Sequence, residues 1–291
     1  MPESIQIGGR AVGAGKPCLV VAEMAANHNG DLGLAMELAR KAHAAGADLV
    51  KFQFRTPVLC IPEAQKVILK ETPWGSMSYL EYRERLEFQS WQWDDLAAEL
   101  HRLGIPWFAS PWDLPSLTRL MRYDPPCLKV ASACLTDLDL LHAMRQTGKP
   151  VIASTGMSNF PQIQRAVAAL GPDRLILLHC RSTYPCPPED LNLQAIVSLR
   201  ERFAVPTGYS GHEVGLWTSL CAVVLGASVL ERHFTDDRSR FGSDQAASVE
   251  PHGFADLVKQ IRRWEEARGD GRLGEILDSE RPVMARLRRV L

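Results

Sequence analysis

Short apolar runs that finish on polar residues alternate along the chain with longer stretches whose apolar residues recur every three or four positions. The runs are CLVVAEMAAN (18–27), DLVKFQF (48–54), PWFASP (106–111), CLKVASA (127–133), PVIASTG (150–156), LILLHC (175–180), VPTGYSG (205–211) and SVLERHFT (228–235). Near-continuous apolar runs of this length predict strands buried on both faces, as in a parallel sheet. The stretches between them predict crossover helices. Leu34, Leu38 and Ala42 recur at helical spacing up to a stop at Gly46, and Phe254, Leu257, Ile261 and Trp264 share one face of a last helix over 254–267. Eight strand–helix units are the number that closes an α/β fold into a (β/α)8 TIM barrel; an open doubly wound sheet rarely needs so many.

Two segments break the alternation. SIQIGGRAVGAGKP (4–17) predicts an N-terminal β-hairpin turning at Gly13–Gly15 and plugging the lower mouth of the barrel. Residues 55–90 are too long for an ordinary βα loop and predict a lid or wall over the upper mouth. The barrel domain is expected over 1–268. The remainder, 269–291, carries Gly269, Gly271, Gly274 and five arginines (Arg272, Arg281, Arg286, Arg288, Arg289) and reads as an Arg-rich tail.

Charge narrows the function classes. With 33 Lys+Arg against 34 Asp+Glu, the chain offers no electrostatic ground for binding nucleic acid or an anionic membrane. No apolar run reaches the ~18–20 residues of a membrane span. The start, MPESIQIGGR, lacks a basic-then-apolar leader, so a cytoplasmic location is expected. Seven cysteines, scattered and without a CxxC pair, predict reduced buried thiols rather than a disulfide framework or zinc cluster.

Barrel enzymes carry their chemistry at the C-terminal ends of the strands. There this sequence places Glu23, Asn27, His28, Lys51, Gln53, Ser110, Lys129, Ser132, Ser154, Thr155, Cys180, Arg181, Ser182, Tyr184, Ser210, His212, Arg232, His233 and Thr235. Lys51 and Lys129 interrupt apolar strands, where an unpartnered lysine is rare. Singly, either is explained by a structural ion pair with Glu23 or Asp48. Together, below Ser132, they predict an anion site lined by charge-assisted donors. His212 and His233 end adjacent strands and can reach one metal ion, whereas His179 should face a wall. His43, His101, His142 and His252 fall on the outside. A Cys–His pair using Cys134 or Cys180 with His212 is the weaker alternative, since nothing in the sequence marks either thiol as activated. Spacing alone gives a metal-assisted barrel enzyme acting on a phosphorylated anion.

At these residues the sequence resembles the sialic acid (N-acetylneuraminate) synthase family. The matching stretches are AEMAANHNGDLGLAMELARKAHAAGADLVKFQ (22–53), FASPWD (108–113), LKVAS (128–132), GKPVIASTGM (148–157), LHCRSTYPCPPEDLNL (178–193), GYSGHEVG (208–215), LERHFTDD (230–237) and GSDQAASVEP (242–251). They run in order over about 4–268. The resemblance implies a cytoplasmic transferase that condenses phosphoenolpyruvate with an aldehyde sugar, N-acetylmannosamine or a relative, using Mn2+ or Mg2+. It places Lys51, Ser110, Lys129, Ser132, Ser154, Ser182 and Ser210 around phosphoenolpyruvate and gives His212 and His233 the metal. It sets Glu23 near the reacting aldehyde, and Gln53, Tyr184 and Asp244 around the acceptor. It also implies a homodimer. Departures fall mainly on the acceptor side: Ser132-Ala133-Cys134 stands where the family has serine-glycine-glutamate, Ser210-Gly211-His212 where it has Ser-Asp-His, and Ser182 replaces an asparagine. The chain ends at RLRRVL, about where the family's antifreeze-like domain starts. Two other readings stay open: a 2-keto-3-deoxy acid synthase with a different aldehyde acceptor, and a non-catalytic barrel that needs a separate antifreeze-like partner, docked by the arginine tail.

Overall fold

The computed structural model describes residues 4–290; residues 1–3 and 291, the extreme ends of the two expected regions, lie outside it. Twelve strands are present among them. In chain order they are β1 (Ser4–Ile7), β2 (Arg10–Gly13), β3 (Leu19–Glu23), β4 (Leu49–Phe54), β5 (Leu69–Thr72), β6 (Gly75–Ser78), β7 (Trp107–Pro111), β8 (Leu128–Val130), β9 (Val151–Ser154), β10 (Leu175–Cys180), β11 (Thr207–Gly211) and β12 (Val229–His233). Eight of them, β3, β4 and β7 to β12, pair in parallel, and β12 returns to β3 through the register His233↔Glu23, so the sheet is a closed barrel. This is the (β/α)8 architecture the alternation of runs predicts.

Local chemistry starts the outer helices immediately after the strands. Asp31 accepts from Leu34 N at the head of Leu32–Ala44, Asp113 from Ser116 N before Leu114–Met121, and Asn159 from Gln162 N before Phe160–Leu170. Each cap satisfies a backbone donor that the first helical turn leaves unpaired. The last helix, Pro251–Ala267, buries Phe254, Leu257 and Ile261 as expected, with Trp264 packed at the margin of the core.

The hairpin is β1 with β2, and it turns at Gly8–Gly9, not at Gly13–Gly15. Both glycines have positive φ (55° and 80°), the conformation a two-residue hairpin turn demands; Gly13–Gly15 instead carries the chain from β2 toward β3. Its inner residues Ile5, Ile7 and Val12 pack on Leu19, Val21, Phe108 and Ile176, which closes the lower mouth. Residues 55–90 are folded: two one-turn helices (Pro57–Cys60, Glu63–Lys66), the β5–β6 hairpin and the helix Tyr79–Leu86. Beyond Ala267 the chain is exposed apart from a partly covered Met284, and carries one short helix, Arg281–Leu287. No described helix is long and apolar enough to cross a membrane.

Candidate active site

Strand alternation decides what faces the barrel lumen. Leu19, Val21 and Glu23 point inward from β3, Leu49, Lys51 and Gln53 from β4, and Val229, Glu231 and His233 from β12. The apolar member lies low against the hairpin and the polar members lie high. The polar tops line a cavity of about 440 Å³ at the C-terminal mouth. All thirteen residues that the family resemblance assigns to the substrates and the metal, from Glu23 to Asp244, line this one cavity.

Four buried charges form its floor. Lys51 is ion-paired with Glu23. Glu231 Oε1 lies 3.8 Å from both Lys51 Nζ and Lys129 Nζ and accepts a 3.0 Å hydrogen bond from Ser210 Oγ. Lys129 Nζ donates to Ser154 Oγ (2.6 Å) and to the Val130 carbonyl (3.0 Å). Glu23 also accepts from Gln53 Nε2 and the Ala25 amide, each at 3.0 Å. Burial raises the Glu23 carboxyl above the ordinary range against the pull of the Lys51 ammonium. Burial also pushes Glu231 up, but Lys129 and Lys51 together hold it below the ordinary carboxylate range. Burial lowers Lys129. The two carboxyls are therefore driven apart, one toward holding a proton and one toward staying charged.

A hydroxyl wall stands to one side, above β8, β9 and β10. A methyl group built on Gly156 would sit 2.4 Å from Ser182 Oγ and 2.7 Å from Ser132 Oγ, so these hydroxyls converge on a cradle that only glycine leaves open. The Gly156 amide already donates to Ser132 Oγ (3.2 Å). On the other side, the His212 and His233 ring centroids are 5.2 Å apart, with the Tyr184 ring 4.0 Å from His212. His212 Nδ1 donates to the Arg181 carbonyl at 2.6 Å, which fixes its tautomer and leaves Nε2 with a lone pair. Cys180 Sγ sits 3.8 Å from the same nitrogen.

Buried polar atoms without a partner concentrate here. Of twelve such side-chain atoms among the described residues, six belong to this cavity: Arg55 Nε, Ser110 Oγ, Trp112 Nε1, Ser182 Oγ, Glu231 Oε2 and His233 Nδ1. An unpaired buried polar atom costs ~1–3 kcal/mol, and a ligand that pairs with several of them at once recovers that cost. The family model described as the NeuB family matches residues 38–273. The chain belongs to the NeuB family. It is 39% identical over 290 residues to an uncharacterised protein of Methanocaldococcus jannaschii, covering 99% of this chain and 82% of that one. It is 38% identical to the N,N'-diacetyllegionaminic acid synthase of Campylobacter jejuni, over 88% of this chain and 79% of the relative. Its fold superposes with a TM-score of 0.86 and 32% identity on the sialic acid synthetase of Leptospira borgpetersenii solved with citrate, covering 100% of this chain and 99% of that one.

In this NeuB-family barrel the donor set suits a divalent cation. His233 Nδ1 is buried without a hydrogen-bond partner, Asp244 Oδ2 lies 3.9 Å from it, and His212 presents a free nitrogen. No cluster of three His, Cys, Asp or Glu ligands occurs among the described residues, so two imidazoles would hold the ion and leave positions to oxygen ligands.

Other strand-end residues are not brought into the site. His28 packs on Phe88 (centroids 4.5 Å), Asn27 ties Phe234 to Ser248, and His179 bonds the Leu191 carbonyl (2.6 Å). Arg232 turns outward to a fully buried ion pair with Glu213 (3.0 Å). Among the polar wall residues, Glu231, Arg55, Arg83, Tyr79, Trp112 and Ser243 were not singled out from the sequence. Glu231 carried a signal, because it lies two positions before His233, as Ser210 lies two before His212. Arg55 and Trp112 carried one too, each standing one residue past a strand end, whereas Tyr79 and Arg83 lie on the helix Tyr79–Leu86 and had none. A larger cavity, about 750 Å³, opens at the lower end of the barrel by Lys16, Arg200 and Trp264. It lacks histidine and paired strand-end residues, and one orphaned atom, Thr207 Oγ1, belongs to its lining.

Proposed function

We propose that this chain is a phosphoenolpyruvate-dependent synthase that joins the three-carbon unit to an aldehyde sugar of the N-acetylmannosamine kind and releases phosphate. The product is a sialic-acid-like 2-keto-3-deoxy sugar acid. The observation that carries this reading is the convergence, in one mouth, of two lysines interleaved with two carboxyls, a hydroxyl cradle and two imidazoles. Membership of the NeuB family and the activities for which its relatives are named support it.

Phosphoenolpyruvate brings a carboxylate and a phosphate. Lys51 and Lys129, with Ser110 and Ser210, take the anionic end, and Ser132, Ser154 and Ser182 with the Gly156 cradle receive the phosphate oxygens. A bound Mn2+ or Mg2+ at His212 and His233 would supply polarisation of the aldehyde oxygen. The methylene carbon of the enol attacks the aldehyde carbon while Gln53, Tyr184 and Asp244 position the acceptor. Glu23, whose burial favours the protonated form, gives its proton to the aldehyde oxygen as the C–C bond forms; water then adds to the carbon that bears the phosphate, and the Glu23 carboxylate takes the proton from that water. Glu231, held charged by both lysines, faces the positive charge that develops at the same carbon. The tetrahedral adduct breaks its C–O bond, giving the keto acid and inorganic phosphate.

Phosphate release with phosphoenolpyruvate, Mn2+ and a panel of N-acetylated aldehyde sugars tests the proposal; absence of phosphate with every aldehyde overturns it. His212→Ala and His233→Ala are each expected to lower kcat by at least about 100-fold and to weaken Mn2+ binding in a calorimetric titration. Their melting temperatures in metal-free buffer should match the parent. The homodimer, and the division of the chain near 268 into barrel and tail, belong to the same proposal.

A further inference from the structure

The two imidazoles at the mouth are not held alike. His233 is the last residue of β12, and the parallel ladder to β3 sets it opposite Glu23. The pairing of β11 with β12 ends at Gly211↔Arg232, so His212 stands one residue past the ladder. Directly after His212 comes Glu213, and directly before His233 comes Arg232. These two meet in an ion pair of 3.0 Å, each residue 1% exposed. The pair therefore ties together the two stretches of backbone that carry the imidazoles.

Neighbouring groups complete it. Glu213 Oε1 also accepts from Thr218 Oγ1 and Ser219 Oγ, and Oε2 accepts from Tyr209 Oη, each at 2.8 Å. Arg232 Nη1 donates to Ser219 Oγ (2.6 Å) and to the Gly215 carbonyl (2.9 Å), and Nη2 donates to the Glu213 carbonyl (2.6 Å). That last bond grips the backbone one residue beyond His212. A methyl group built on Gly211 would lie 2.6 Å from Glu213 Oε2 and 2.7 Å from Tyr209 Cε1, so glycine at this strand end leaves room for the carboxylate. Taking two charges out of water costs about as much as their attraction returns, so such a pair adds little stability over an apolar one of the same shape. What it gives is fixed geometry, here the 5.2 Å between the His212 and His233 rings.

We propose that Arg232 and Glu213 form a clamp, on the outer side of β11 and β12, that sets the spacing of the two imidazoles for a divalent cation. Both are positioning residues, and neither lines the cavity. The clamp rests on the reading of His212 and His233 as the cation's ligands and adds what holds them in place. With it closed, His212 Nδ1 stays on the Arg181 carbonyl and Nε2 stays free.

Two variants of the full chain test it. Arg232→Met/Glu213→Gln removes both charges together and leaves no unpaired charge buried. Arg232→Lys keeps the charge but replaces the two-armed guanidinium by one ammonium. The calorimetric Kd for Mn2+ is expected to rise about 10- to 100-fold in the double variant and less in Arg232→Lys. In metal-free buffer the melting temperature should match the parent, and phosphoenolpyruvate should bind within about twofold of it. Proton–nitrogen NMR of histidine-labelled, metal-free protein should show a single His212 tautomer in the parent and a mixture in the double variant. Mn2+ affinity and tautomer both unchanged overturn the clamp. A lowered melting temperature with Mn2+ affinity intact does so too, and makes the pair a stabilising contact only. Where affinity and melting temperature fall together, the tautomer read below the melt decides. If the double variant does not fold, Arg232→Lys decides by the same readouts. A parent that binds no Mn2+, while the double variant loses the single tautomer, sinks the cation site and keeps the clamp. Equal Mn2+ binding by parent and variants keeps the site and sinks the clamp.

Discussion

Gly156 shows how a single missing side chain can shape a site. Its Cα lies so close to the Ser132 and Ser182 hydroxyls that one added methyl occupies the space where both point. Gly156→Ala is therefore expected to raise KM for phosphoenolpyruvate at least about 10-fold with little change in melting temperature, since the methyl displaces a ligand and not the core. Steady-state kinetics beside a thermal melt checks this. His28 acts on stability rather than on chemistry. Burial against Phe52 and Phe88 lowers its pKa from 6.5 to about 4, and its Nδ1 accepts the Gly30 amide, which requires the neutral ring. Between those pH values the unfolded chain binds a proton that the folded chain refuses, so stability falls as pH drops through this window and no penalty exists above it. The expected loss between pH 7 and pH 5 is about 2 kcal/mol from this group. Denaturant midpoints at the two pH values should differ by correspondingly less in His28→Phe.

At the scale of elements, the strands divide their labour along their length. The lower residues of β3, β4 and β12 build an apolar plug with β1 and β2, and the upper residues of the same strands carry the charges. Ile7, 1% exposed in the plug, should cost about 2–4 kcal/mol on substitution by alanine. Its kcat should hold, because the polar tier above belongs to separate side chains; chemical denaturation and initial rates together decide that. The same division explains what was legible in the sequence. Strands read clearly because apolar runs ended on polar residues, and twelve of the thirteen proposed site residues could be named because barrel strands deliver their ends to one rim; Asp244, in the loop after β12, came from the family resemblance alone. The hairpin was legible but its turn was not, since 4–17 offers two glycine-rich turns and only the pairing of Ile7 with Arg10 selects Gly8–Gly9. Arg83 and Tyr79 were silent because a helix in a long insertion meets the mouth through tertiary packing alone, which leaves no period in the sequence.

For the molecule as a whole, β1 and β2 act as a stopper, and the lumen has a single opening. Whatever rests against Lys129 and Ser154 lies at the bottom of a well, and whatever touches Tyr184, Asp244 and Arg83 lies at its lip. The deep ligand must arrive first, and it cannot depart while the lip is filled. Catalysis in such a vessel runs as a queue. A dead-end mimic of the lip ligand should therefore slow the escape of the deep one, which a displacement experiment reads as a longer residence time.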